Sequence, residues 1–80
     1  MAEKKYAYNV SELEEKMYDT VGHAVKMKLK DGKTVEGKSV YFETSTEAEM
    51  DYPVVYVFAK DDECANGYSE DQIESIEIVD

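Results

Sequence analysis

Hydrophobic residues change their spacing once along this chain, and the change separates a helical opening from a run of strands. Leu13, Met17 and Val21 recur at i, i+4 and i+8, which lines one face of a short helix. Ser11 stands just before it with Glu14 three positions on, the pattern of a capping box, and Gly22 supplies a stop. The helix is read as about 11–19. Two turns are not stable alone in water, so this one must lie against something, and closing an open end of a barrel would serve. From Ala24 the period falls to two, with Val25, Met27 and Leu29 alternating with Lys26, Lys28 and Lys30. Asp31-Gly32 then signals a hairpin turn.

The return strand covers about 33–43, and its parity breaks. Val35 falls in phase with Gly37, whereas Val40 and Phe42 share the opposite phase. A bend or bulge at Gly37 is expected to reconcile them and to let one long strand serve both halves of a barrel. Residues 44–52 are polar and acidic and read as a loop, with Pro53 opening the next strand. Residues 54–59 are apolar at both parities: Val54, Tyr56 and Phe58 on one side, Val55 and Val57 on the other. A strand wet on one face should alternate, so the second face is expected to be covered, by the N-terminal helix or by another chain. A turn at 60–63, a short strand near 64–68, a capped single turn at 69–72 and a closing strand at 73–79 follow, with Ile76 and Ile78 inward. Residues 1–9 read as a flexible lead-in or short strand, and 10–80 as a single domain. The predicted class is mainly β: a short N-terminal α-helix, then a five-stranded, strongly bent antiparallel barrel.

Charge sharpens this picture. The net charge is −10, and all nine basic residues are lysine. A chain built to grip phosphate usually carries arginine, whose planar fork binds it with two parallel hydrogen bonds. A strong negative field also repels nucleic acid at long range, so nucleic acid is not an expected partner. The charge is segregated: residues 1–40 hold eight Lys and seven acids, and residues 41–80 hold only Lys60 against twelve acids. That acidic half reads as a solubilising surface, a docking face, or a mimic of the nucleic-acid backbone.

Catalytic chemistry finds little to stand on. His23 is the only histidine and Cys64 the only cysteine, so no intrachain disulfide and no dedicated zinc site is expected. Cys64 follows Asp61, Asp62 and Glu63, the wrong setting for an activated nucleophile. Neither a phosphate-cradling glycine loop nor an alternating calcium loop is present. No enzyme activity, cofactor or metal is expected. No apolar run approaches the roughly 20 residues of a membrane span, and the first residues lack the apolar stretch of a secretory leader. A cytoplasmic domain with no membrane partner is the expectation.

Two stretches resemble a known family. Val21-Gly22, Val25-Lys26-Met27-Lys28-Leu29-Lys30-Asp31-Gly32 and Val35-Glu36-Gly37 look like the first motif of Sm-like proteins. The run from Tyr68 to Ile78 is similar to the last turn and strand of small bacterial Sm-like and SH3-like domains. The resemblance implies a small Sm-like barrel, assembly into a ring or dimer, and, in the family, RNA bound by two loops. On those loops Glu43 matches the acid. Ser45 stands where a base-stacking ring belongs, Glu47 lies near the asparagine position, and Asn66-Gly67 replaces the basic residue and glycine. Stacking contributes about 1–3 kcal/mol per base, and the first loop lacks the ring that supplies it. The leading expectation is therefore a non-catalytic interaction module acting by self-assembly or through a protein partner. A diverged RNA-binding protein and an acidic nucleic-acid mimic are the alternatives. Val54, Tyr56, Phe58 and Tyr68 are the candidate interface, since tyrosine and phenylalanine are favoured both in strands and at interfaces.

Overall fold

The computed structural model describes residues 11–60 and 63–80. The expected lead-in at 1–9, with Tyr6 and Tyr8, and the turn residues Asp61 and Asp62 lie outside the described residues. Helix α1 spans Glu12–Asp19, and Ser11 caps it by accepting the Glu14 N–H on its hydroxyl at 3.0 Å. Strands β1 (Ala24–Leu29), β2 (Thr34–Glu43), β3 (Val54–Ala59), β4 (Asn66–Ser69) and β5 (Ile73–Ile78) form one antiparallel sheet in the order β4-β3-β2-β1-β5. The fold is mainly β with one short helix ahead of the first strand, as the periodicity implies.

Strand β2 has two different neighbours along its length. Residues from Thr34 to Lys38 pair with β1, residues from Gly37 to Glu43 pair with β3, and the two ladders overlap only at Gly37 and Lys38. Gly37 stands at this junction because β3 passes too close for a side chain. A Cβ there would lie 2.7 Å from Ala59 Cα. The parity change occurs elsewhere. The β2–β3 register slips between Ser39 and Tyr41, so Val40 is the extra residue of a bulge and is 42% exposed. Inward positions are thus 35, 37, 39 and 42, and the bulge expected at Gly37 sits three residues later.

The sheet rolls up because of how its edges are joined. In a flat sheet β4 and β5 would lie about 19 Å apart, four spacings of roughly 4.8 Å. They are connected by one 3₁₀ turn, Glu70–Gln72, whose rise of about 2 Å per residue covers only about 8 Å. That turn is bonded to both halves: the Glu70 N–H donates to Pro53 O at 3.0 Å and the Lys30 N–H to Gln72 O at 2.9 Å. Among the described residues no ladder joins β4 to β5, so the curled sheet stays open along that seam rather than closing into a full barrel.

The concave side holds the core. Val25, Met27 and Leu29 of β1, Val55 and Val57 of β3, and Ile73 and Ile76 of β5 pack around Met17 of α1. Burial of such side chains stabilises by about 1.5–3 kcal/mol each, which is what holds a two-turn helix in place. The helix touches β5 and β3, spanning the hollow between them. Its end is tied down by polar groups: the buried Thr20 hydroxyl donates to Met17 O at 2.8 Å and lies 3.2 Å from the Ser39 hydroxyl, whose proton it can accept. One expected inward residue is not inward: Val21 lies beyond the helix in the turn and is 37% exposed. Ile78 does share the inner side with Ile76, opposite Val25, but at the end of β5 it borders an open groove and is 45% exposed, and the register shift at Lys28/Leu29 brings Ile73 inward as well.

Candidate interaction surface

The side of β2 and β3 facing away from the core carries an aromatic strip, and register places its members. Lys38 is opposite Phe58, Tyr41 is opposite Tyr56, and Glu43 is opposite Val54. The bulge at Val40 keeps Lys38, Tyr41 and Glu43 on one face despite their uneven spacing. Tyr41 and Tyr56 rings lie 5.9 Å apart and tilted by 39°, a packed aromatic pair. Tyr41 is 55% exposed and Phe58 42%, Tyr56 is half-buried, and Val54 is buried. Helix α1 packs on Val55 and Val57, on the opposite side, so it leaves the second face of β3 uncovered.

Strand β4 completes the surface through a residue without a side chain. Gly67 is opposite Tyr56, and a Cβ on it would lie 3.0 Å from the Tyr56 ring and 3.1 Å from Val54. The glycine therefore makes room for the tyrosine to lie across its neighbour. Tyr68 does not share this face. It pairs with Val55 and packs against the core cluster, so it leaves the expected interface group of Val54, Tyr56 and Phe58. Tyr41 was missed as an interface residue because only the slipped register reveals which way it points.

The residues standing at the family's RNA loops are engaged locally. The Tyr56 hydroxyl donates to Glu43 Oε1 at 2.8 Å, and this bond, with burial adding to it, holds the phenol above its ordinary pKa. Residues expected to be a plain loop form a one-turn helix α2, Ser45–Ala48. Glu47 closes its capping box, accepting the Thr44 N–H at 3.0 Å while Thr44 Oγ1 accepts the Glu47 N–H at 3.2 Å. Ser45 is the first residue of that turn. Asn66 and Gly67 belong to β4 itself, opposite Val57 and Tyr56, not to a loop. No aromatic side chain stands within residues 44–48 to stack on a base.

The lysine stripe of β1 is balanced across strands. Lys26 stands between Glu36 and Glu77, and Lys28 Nζ lies 3.9 Å from Glu74. Such exposed cross-strand neighbours contribute about 0.2–1 kcal/mol each, and they set acids beside Lys26 and Lys28. At the start of β1, Asp80 accepts the Ala24 N–H at 3.0 Å and contacts His23 Nδ1 at 3.2 Å. The backbone bond first, then the histidine, lowers the Asp80 pKa below the usual carboxylate value.

Open grooves flank the helix. One, of about 450 Å³, runs between Tyr18 and Val21 on one side and Tyr41 and Phe42 on the other, with Tyr18 and Phe42 meeting edge to face at 5.7 Å. Another, of about 320 Å³, lies between Lys16, Thr20 and the β5 residues Ile76 and Ile78. Among the described residues no three His, Cys, Asp or Glu side chains gather as a metal site, and no helix is long and apolar enough to cross a membrane. Cys64 is exposed. Compared with known proteins, the chain finds no match: no family model, no curated protein and no solved structure corresponds to it.

Proposed function

We propose that this chain is a small, non-catalytic Sm-like interaction module that acts by self-assembly or by holding a protein partner through the outer face of β2 and β3. One observation carries the reading: Tyr41, Tyr56 and Phe58 stand together on a face that the core does not use. Aromatic side chains grouped on a surface lose water on contact and cost little conformational entropy, which is why they anchor interfaces. Support for the Sm-like part comes from the topology: a helix first, a long β2 shared between β1 and β3, and a single 3₁₀ turn between the edge strands. A cytoplasmic location belongs to the same reading. The RNA-binding role of the family is not carried over, because Glu43 and Glu47 are committed to Tyr56 and Thr44.

The test compares the parent with Phe58→Glu and with Lys26→Glu as a surface control. Solution mass and crosslinked or affinity-captured partners are recorded for each after circular dichroism establishes folding. Association that is lost in Phe58→Glu and kept in Lys26→Glu is the expected result. Equal association in all three proteins would remove this face as the working surface.

A further inference from the structure

We propose that the occupant of this face is a second copy of the chain, docked about a twofold axis so that Lys38 of each copy meets the Glu43 end of the other. The inference rests on the interaction-face reading above and adds the identity and orientation of the partner.

The strip is electrically polar along its length. Lys38 beside Phe58 forms one end, the Tyr41–Tyr56 pair the middle, and Glu43 beside Val54 the other. With Val40 bulged out, the ladder from Lys38 to Glu43 has four steps, about 14 Å. A twofold axis through the middle turns the strip end for end. It brings lysine onto carboxylate twice and stacks the tyrosine pair on its own copy. A twofold interface is self-complementary in this sense, residue i meeting j and j meeting i. Parallel stacking would put lysine on lysine.

Lys38 also differs from the other strand lysines. Lys26 has Glu36 and Glu77 across from it on the two neighbouring strands and Lys28 reaches Glu74, whereas Lys38 has Ala24 and Phe58 across from it and no acid in register. That stands out in a chain where nineteen acids outnumber nine lysines. Glu43 accepts one bond from Tyr56, and a carboxylate with about four lone-pair sites has capacity for an ammonium group as well. A strip about 14 Å long on two strands about 4.8 Å apart covers far less than the roughly 800 Å² per partner of a standard interface, so a weak, concentration-dependent dimer is expected. Each copy carries −10, and the resulting long-range repulsion is screened to about 8 Å at 0.15 M salt.

Sedimentation equilibrium at 0.15 M salt, up to about 1 mM chain, tests the geometry. The parent should rise from 9.1 kDa toward twice that mass. Lys38→Glu and Glu43→Lys should each weaken self-association by about tenfold or more, since each sets two like-charge contacts in the dimer. An equimolar mixture of the two variants should recover it, because the substituted positions then face each other and the native Lys38–Glu43 contact forms once. Should Glu43→Lys unfold, Lys38→Gln and Glu43→Gln replace the pair, and each should weaken association of a chain whose circular dichroism is unchanged. A parent that stays monomeric, a dimer indifferent to both single changes, or a mixture that does not recover overturns the proposal. So does a ring larger than a dimer that ignores Lys38→Glu. A monomeric parent whose protein capture is still abolished by Phe58→Glu would overturn the pairing of copies and leave the interaction-face reading standing.

Discussion

Replacing Gly37 by alanine tests how closely the two halves of the sheet approach. The added Cβ would lie 2.7 Å from Ala59 Cα and 2.8 Å from Phe58 C. Carbon atoms prefer about 3.5–4.0 Å, so β2 and β3 would have to separate by roughly 0.8 Å. Both offending atoms are backbone, so no side-chain rotation relieves the clash. Nor can β2 step away freely, because Gly37 is paired with Val25 of β1 on its other side. Overpacking of this kind costs about 1–3 kcal/mol, and a clash against backbone belongs at the upper end. Alanine restricts the unfolded chain and returns about 0.4–1 kcal/mol. The expected net loss is about 2 kcal/mol, or a fall in Tm on the order of 10 °C for a domain of this size. Gly32→Ala is the control. Its φ of +95° strains an alanine although nothing lies within 4 Å, so it should lose only about 1 kcal/mol. Urea titration of the three proteins, read at unchanged slope, makes the comparison. If Gly37→Ala matches or exceeds the parent in stability, the close passage of β3 at the junction is wrong.

Three further outcomes follow from the packing and the two perturbed groups. Met17 is fully buried at the centre of the core, so Met17→Ala should cost about 2–5 kcal/mol in urea and loosen α1 first, which amide exchange of residues 12–19 would register. Tyr56 has a raised pKa because its neutral hydroxyl is held by Glu43, so its contribution is complete below the ordinary value of 10.0 and is lost as pH rises through the folded one. The stability of the parent should therefore fall above pH 10.0 more steeply than that of Tyr56→Phe, measured by melting across that range. Asp80 has the opposite sign: its lowered pKa makes the carboxylate's contribution present above the ordinary 3.8 and lost as pH falls through the folded value. Asp80→Asn should melt below the parent at neutral pH and converge with it in acid.

Much of the architecture was legible from spacing alone, and what escaped follows a pattern. Alternation over 24–29, the Asp31-Gly32 turn and the helical repeat of Leu13 and Met17 describe local geometry, and local geometry is what periodicity encodes. The parity break in β2 was visible, but its cause was assigned to Gly37 because glycine is the residue that permits odd backbone. The structure uses that glycine for close approach and lets Val40 carry the bulge. Which neighbour approaches is a long-range fact. The α2 turn was hidden in residues that read as a polar loop, although Thr44 and Glu47 form the same capping pattern recognised at Ser11 and Glu14. The candidate face was partly legible: Val54, Tyr56 and Phe58 share parity, whereas Tyr68 belongs to the inner side and Tyr41 joins only through the slipped register.

The composition of the outer face is not explained by folding. The concave side already gathers Met17, Val25, Met27, Val55, Val57, Ile73 and Ile76, and the helix closes over it. A strand whose outer positions faced only water would do as well with threonine or lysine, which the outer side of β1 does use at Lys26 and Lys28. Outer β3 carries Val54, Tyr56 and Phe58 instead, and β4 gives up a side chain at Gly67 to seat one of them. Glycine in a strand interior costs roughly 0.5–1 kcal/mol relative to alanine. Exposed aromatics also raise the risk of unwanted association at a sheet with open edges. That both costs fall at the same place, on a strip with a lysine at one end and a carboxylate at the other, supports the proposed use of this face for contact. Threonine at positions 41, 56 and 58 together should therefore leave a folded protein that no longer associates. If the triple variant unfolds, the strip holds the fold together, and the argument for its use as an interface falls with it.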